Sequence, residues 1–286
     1  MSALPPLTTK ADRARDHRRR ARRSITISTI STIIVIGGLV TYVLTSPGWD
    51  SVRAEFFSAS EFGASFGSVL TGFWLDVRMF LIVEVGVLVL GMLIALIRTA
   101  NAPVLFPLRL LAIVYVDIMR GIPTILLVYI IGFAVPGLDL KGVPTNPIVL
   151  SGIALAMCYS AYVSEVFRAG LESIHPSQAG AALALGLTPV QALRYVIVPQ
   201  AVRRVIPPLL NDFIALQKDV ALVSIVGPQE AFRVAQIFAA SQFNYTPLLA
   251  AAALYLCVTI PLTRVVDRLQ ARSRRERGAY LALGPR

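Results

Sequence analysis

Glu84, Glu165, Asp212, Lys218 and Asp219 stand in stretches otherwise apolar enough to lie within a lipid bilayer. A charge at that depth costs at least a few kcal/mol, so such groups face a polar cavity, a partner chain or each other. The first option makes all five candidates to line a pathway for a polar solute. An acidic lining favours a cationic solute, whereas Lys218 points the other way, and the sign of the solute stays open. A structural alternative exists for two sites: Glu165 and Arg168 are three apart, as are Asp117 and Arg120, and residues at that spacing pair along one helix face. Glu84 has no local partner of this kind.

Other chemistry is not indicated. His17 and His175 are far apart and without clustered ligands, so a metal site is not expected. Cys158 and Cys257 show neither C-x-x-C nor metal spacing and read as small apolar core residues. No Ser-His-Asp set, H-E-x-x-H or paired carboxylates mark a catalytic centre, and no G-x-x-x-x-G-K-[ST] binds nucleotide. The chain reads as neither an enzyme nor the holder of a cofactor.

The elements that carry the charges are membrane spans. The 286 residues are 56% hydrophobic and 15% charged, with a mean hydropathy of +0.69, beyond ordinary globular usage. A helix needs about 20 apolar residues to cross hydrocarbon, where the backbone must satisfy its own hydrogen bonds. Stretches 25–44, 77–97, 148–167, 205–226 and 247–266 qualify, and the region 110–135 contains a further span interrupted at Arg120-Gly121-Ile122-Pro123. Proline is tolerated in a first turn and kinks an interior, so this region is either a short span, 121–135, after an interfacial helix, or one kinked helix. The expected fold class is all-α: a polytopic bundle of about six transmembrane helices.

Charge orients the bundle. Lysine and arginine near short loops concentrate on the cytoplasmic side. The run "KADRARDHRRRARR" holds eight, and the segment from Arg264 onward holds seven. Both ends therefore belong to the cytoplasm, and six spans also place Arg98, Arg109, Arg168, Arg194, Arg203 and Arg204 inside, leaving Arg53, Arg78, Lys141 and Arg233 outside. Beside a span, the basic N-terminal run reads as a topology signal with attraction to anionic lipid, not as a nucleic-acid site. Stretch 25–44 exceeds a usual signal-peptide core and reads as an uncleaved anchor. Small residues such as Gly86, Gly91 and those of 250–253 permit close helix packing.

The stretch "AGAALALGLTPVQALRYVIVPQA", 179–201, is long and apolar enough for a seventh span. An odd count would export the Arg-rich C-terminal segment, which assigns this stretch to the cytoplasm. Its local grammar is helix, turn, helix: Pro176 suits a first turn, Gly186 the left-handed residue past a helix end, and Thr188, Pro189 and Gln191 a capped second start. Two short apolar helices in water expose more greasy surface than a lone chain normally leaves uncovered. They need a partner.

From about 98 to 268 the sequence resembles the membrane-spanning permease of polar amino acid ABC importers. The family's cytoplasmic loop, Gln, a spacer, Glu-Ala-Ala, then Ala-Leu-Gly and later Pro-Gln-Ala, matches "QAGAALALG" (178–186) and "VPQA" (198–201). "YVDIMRGIPTILL" (115–127), "AYVSEVFRAGLESIHPSQ" (161–178) and "IPPLLNDFIALQKDVALVSIVG" (206–227) match flanking blocks in the same order. Three departures stand out. Gly180 occupies the Glu position, which removes a charged contact and weakens the helix by about 1 kcal/mol. Val220-Ala221 replaces expected hydroxyl residues, and 25–76 is an addition to the shorter five-span members.

The resemblance implies a type I ABC importer permease. Its expected partners are an ATP-binding subunit dimer, a second permease subunit (a related chain or a copy), an extracytoplasmic solute-binding protein and membrane lipid. The expected substrate is an amino acid, and ATP with Mg is expected on the partner ATPase, with none on this chain. The organisation that follows is a basic tail, 1–24; an extra helix and external loop, 25–76; a permease core, 77–268; and a tail, 269–286. The coupling loop, about 175–204, contains Gln178, Gly180, Ala181, Ala182, Leu185, Gly186, Thr188, Pro189 and Pro199. A secondary transporter working without an ATPase is the rival expectation, but no paired repeat with broken helices supports it.

Overall fold

The structure is a computed structural model that describes residues 10–100, 102–139 and 141–282, with side chains described from 23 to 271. The expected basic tails, 1–24 and 269–286, and His17 therefore lie largely or wholly outside the described side chains. The described residues form helices, 3-10 turns and loops, with no strand among them.

Contacts divide the chain into Met1–Phe57 and Ser58–Arg286. In the first unit, α1 (Lys10–Leu44) is followed by a turn at Ser46 to Gly48 and by α2 (Trp49–Phe56). The stretch Arg23–Leu44 has mean hydropathy 2.0 and exposed apolar side chains such as Ile33 and Ile34. Such a surface suits contact with acyl chains.

The second unit begins with α3 (Ala59–Thr99), capped by the Ser58 side chain. This helix runs through 76–77 without interruption, where the sequence reading divides extension from core. A 3-10 turn at Pro103–Leu105 leads to α4 (Phe106–Gly121) and then α5 (Thr124–Gly137). These two helices are bent by 103° at the Ile122-Pro123 break. The single kinked helix is thereby excluded: proline cannot donate the interior hydrogen bond, and Ile122 before it adopts an extended conformation. Next come α6 (Pro147–Glu172), α7 (Pro176–Ala184), α8 (Pro189–Ala192), a short π-helical turn, and α9 (Val198–Asp219). A 3-10 segment over Val220–Val226, α10 (Ala231–Gln242) and α11 (Thr246–Ala282) complete the unit.

Helix α6 sits at the centre, against α3, α4, α5 and α9. Its buried Leu155, Cys158 and Tyr159 join Val83 and Val87 of α3, Val128 of α5, Leu216 of α9 and Val223 in the main core. A smaller core forms where Val69 and Phe73 of α3 meet Ala231 and Ala235 of α10 and Ala251 of α11. By length and composition, four helices among the described residues can cross a membrane, or five if the bent α4–α5 pair is one span. Stretch 205–226 falls on α9 and the 3-10 segment after it; α9 is interrupted in its apolar character by Arg203, Arg204, Asp212, Lys218 and Asp219.

Candidate functional site

The loop after α6 is a helical hairpin closed by caps and turn bonds. His175 caps α7 by accepting from the Ser177 amide at 3.2 Å, and Pro176 occupies the first turn. At the other end Gly186 takes φ +85°, a conformation that strains any residue carrying a Cβ. The Gly186 and Leu187 amides then donate to the carbonyls of Leu183 (3.0 Å) and Ala182 (3.2 Å), which closes the helix end. Thr188 and Gln191 exchange reciprocal bonds at 2.9 and 3.3 Å, a capping box that starts α8 with Pro189 in its first turn. Across the hairpin, Gln200 donates to Gln178 at 3.3 Å.

Burial sorts the residues expected in a coupling loop. Ala182 and Ala192 are each 3% exposed, the buried residues of α7 and α8. The Ala182 side chain is thus turned inward and is unavailable to a partner, unlike Leu185, which is 85% exposed. Val190 and Tyr195 are exposed as well. Gly180, Ala181, Pro189 and Pro199 are also exposed, and a Cβ on Gly180 would meet nothing within 4 Å. The hairpin therefore presents an apolar tip on a frame fixed by caps.

Where α6 approaches its end, Glu165 gathers arginines. It pairs with Arg98 of α3, accepts from Arg168 at 2.7 Å, and lies 3.9 Å from Arg120 of α4. Arg168 also bonds Glu172 at 2.5 Å. Glu165 and Arg168 thus pair along one helix face, as their spacing of three predicts. No ion pair joins Asp117 to Arg120 among the described residues; the Arg120 guanidinium instead lies 5.6 Å from the centre of the Tyr162 ring. The long arm of Arg120 turns back toward α6, where an aromatic face and a carboxylate both attract it.

The remaining charges expected along a pathway separate into two kinds. Glu84 of α3 and Asp212 of α9 interact electrostatically, and Tyr159 of α6 lies near Asp212 while donating to Asp219 at 2.8 Å. Three carboxylates and one hydroxyl are thus brought together by α3, α6 and α9. Asp212 Oδ2 is buried with no hydrogen-bond partner among the described residues. Lys218 is exposed and does not join them.

A further polar cluster escaped the sequence reading. Asp76 of α3 is 2% exposed and Glu230, the residue that caps α10, is fully buried. Asp76 accepts from the Tyr255 hydroxyl of α11 at 2.7 Å and from the Ala231 amide at 3.3 Å. Glu230 accepts from the amides of Phe232 (2.6 Å) and Arg233 (2.7 Å). Burial pushes the Glu230 carboxyl up, and those two amide bonds oppose the shift. The signal was present in the helical register: Asp76 shares a face with Phe73, Met79, Phe80 and Val83, all buried.

Two smaller expectations need correction. Cys158 is buried as expected, whereas Cys257 is exposed on the outer face of α11. Gly91 accepts the close approach of Val163, but a Cβ on Gly86 would meet nothing within 4 Å, so among the described residues that glycine makes no tight helix contact.

Comparison with known proteins matches this architecture. Residues 87–275 match the family described as binding-protein-dependent transport system inner membrane component. The chain is 32% identical to the probable glutamine ABC transporter permease protein GlnM of Bacillus subtilis (strain 168), over 73% of this chain and 94% of that protein. It is 33% identical to the glutamine transport system permease protein GlnP of Escherichia coli (strain K12), over 65% of this chain and 84% of that one. Among solved structures, a chain from a crystal structure of an amino acid ABC transporter with histidines superposes with a TM-score of 0.64 at 29% identity, covering 72% of this chain and 94% of that one. With a multi-pass helical fold and a match across two thirds of its length, the chain belongs to the binding-protein-dependent transport system inner membrane component family.

Proposed function

We propose that this chain is the permease subunit of an ATP-driven importer of amino acids, and that the α7–α8 hairpin is the element through which a separate ATPase moves it. The observation that carries the reading is the hairpin itself. Leu185 is 85% exposed on a frame held by a glycine-closed helix end and a capping box. An apolar tip on a stiff support can seat in a groove and transmit displacement, whereas a loose loop would absorb it. The named relatives, glutamine permeases among them, support the amino-acid class.

In this reading both termini are cytoplasmic, 77–268 is the transport core and 25–76 an added span with its loop. The partners are an ATPase dimer that holds ATP and Mg, a second permease, and an extracytoplasmic binding protein that selects the solute. Glu84, Asp212 and Asp219 contribute to the pathway. Their carboxylates suit the ammonium group that every amino acid carries, so they do not by themselves choose among side chains.

Co-purification tests the coupling. The ATPase subunit is expected to come with the wild-type permease and to be lost with Leu185→Glu, while the variant stays folded in detergent. Solute uptake by vesicles that hold the permease but neither ATPase nor ATP would overturn the proposal.

A further inference from the structure

A cavity of about 500 Å³ opens where the end of α3, the start of α4 and the end of α6 meet. Its charged lining consists of Arg98, Arg109, Arg168 and Glu172. With Arg120 and Glu165, which share the same ion cluster, four guanidiniums face two carboxylates. Helix ends modify this balance by roughly half a charge each: the ends of α3 and α6 are negative and the start of α4 is positive. A positive surplus of about one and a half charges remains.

Two details indicate that this surplus is not consumed within the chain. Arg98 Nε is buried and has no hydrogen-bond partner among the described residues. Arg109 directs its Nη1 to the Ala100 carbonyl oxygen at 3.2 Å, a neutral acceptor, and makes no ion pair among the described residues. Just before Arg109 along the chain, the 3-10 turn and first turn of α4 present Val104, Phe106 and Leu108 at 89, 59 and 46% exposure. A cationic pocket flanked by an apolar rim has the two-part chemistry of a phospholipid: phosphate for the arginines, acyl chain for the rim.

We propose that this cavity is a binding site for the phosphate headgroup of an anionic membrane phospholipid, with Arg109 as its least encumbered ligand. The exposed apolar rim favours a lipid over free inorganic phosphate, which shares the headgroup chemistry but has no use for Val104 or Phe106. The inference rests on the chain being membrane-embedded and not on which solute it carries. Failure of lipid binding would therefore leave the transport reading untouched.

Native mass spectrometry of the purified transporter complex, titrated separately with phosphatidylglycerol and phosphatidylcholine, tests the site. Phosphatidylglycerol is expected to bind more tightly than phosphatidylcholine. Arg109→Gln is expected to weaken phosphatidylglycerol about fivefold, the equivalent of about 1 kcal/mol for one basic residue near a lipid surface, and to weaken phosphatidylcholine less, because its choline ammonium already offsets the phosphate charge. Arg109→Lys, which keeps the charge, restores most of the difference, and its recovery separates lost attraction from a damaged fold. Equal retention of both lipids, an unchanged Arg109→Gln titration, no recovery with Lys, or displacement of the lipid by millimolar inorganic phosphate would each overturn the proposal.

Discussion

The Tyr255 hydroxyl donates to the Asp76 carboxylate at 2.7 Å, joining residues 179 positions apart and tying α11 to α3. The same hydroxyl oxygen lies 3.4 Å from Glu230 Oε2. Asp76 Oδ1 is buried without a partner among the described residues, so Tyr255 provides the strongest bond this carboxylate receives. Removing a partner from a buried polar group exposes its desolvation cost, about 1–3 kcal/mol and more if charged. Tyr255→Phe is therefore expected to destabilise the protein by about 2 kcal/mol, and Asp76→Asn to lose less, because an amide there carries no charge. Thermal unfolding of the two purified variants gives the order directly; a melting temperature for Tyr255→Phe equal to wild type contradicts it.

Gly72 makes the same junction possible. A Cβ there would lie 2.7 Å from the Glu230 carbonyl carbon and 2.8 Å from the Ala231 nitrogen, both backbone atoms that cannot rotate away. Gly67, one helical turn and a half earlier on α3, would meet nothing within 4 Å. Alanine improves helix propensity by about 1 kcal/mol at an unobstructed site, so Gly67→Ala is expected to be neutral or stabilising. Gly72→Ala is expected to destabilise by overpacking, typically about 1–3 kcal/mol. Opposite signs in a pair of melting curves are the expected result, and a stabilised Gly72→Ala would show that α10 does not sit against α3 as described.

What the sequence made legible follows from which interactions are local. The hairpin was readable because Gly186, Thr188, Pro189 and Gln191 act on backbone within a turn of themselves, and the pair Glu165–Arg168 because three residues span one helical turn. The bend at Ile122-Pro123 was readable as a break but not as an angle, since neighbouring helices decide how far the chain turns. Long-range meetings left weaker traces. Nothing near Asp76 in sequence announces Glu230 or Tyr255, and the inward turn of Ala182 depends on how α7 lies against the chain after α8. Arg98, placed by charge counting alone, gave no sign of its contact with Glu165 sixty-seven positions away.

Glu165 holds that contact and two more. Its side chain is 18% exposed, and that of Arg98 is 11% exposed. Loss of one member of a fully buried pair costs about 3–5 kcal/mol because the other charge is stranded; partial exposure of the Arg168 and Arg120 partners reduces this to about 2 kcal/mol. Glu165→Gln is expected to lower stability by that amount and, since one negative charge leaves an arginine cluster, to make stability more sensitive to added salt. Replacing Glu172, which is 56% exposed and bonds only Arg168 in the ion-pair set, is expected to have a much smaller effect. Chemical denaturation of both variants at low and high ionic strength tests the ranking, which equal losses would refute.

The contrast between Leu185 and Ala182 separates contact from architecture. Leu185 projects from the hairpin at 85% exposure, so glutamate there meets water in the isolated permease and leaves its fold intact. Ala182 is 3% exposed, and glutamate there would have to bury a charge or open the hairpin. Leu185→Glu is therefore expected to unfold like wild type yet fail to retain the ATPase. Ala182→Glu should lose both ATPase retention and resistance of the 175–204 loop to proteolysis. Gly186→Ala strains the turn at φ +85° by about 1–2 kcal/mol and should raise protease sensitivity while leaving the apolar tip chemically unchanged. If Gly186→Ala weakens ATP-driven transport while Leu185 remains in place, stiffness is part of how the hairpin couples. A Gly186→Ala permease that is cleaved faster but transports normally would show that the tip alone suffices.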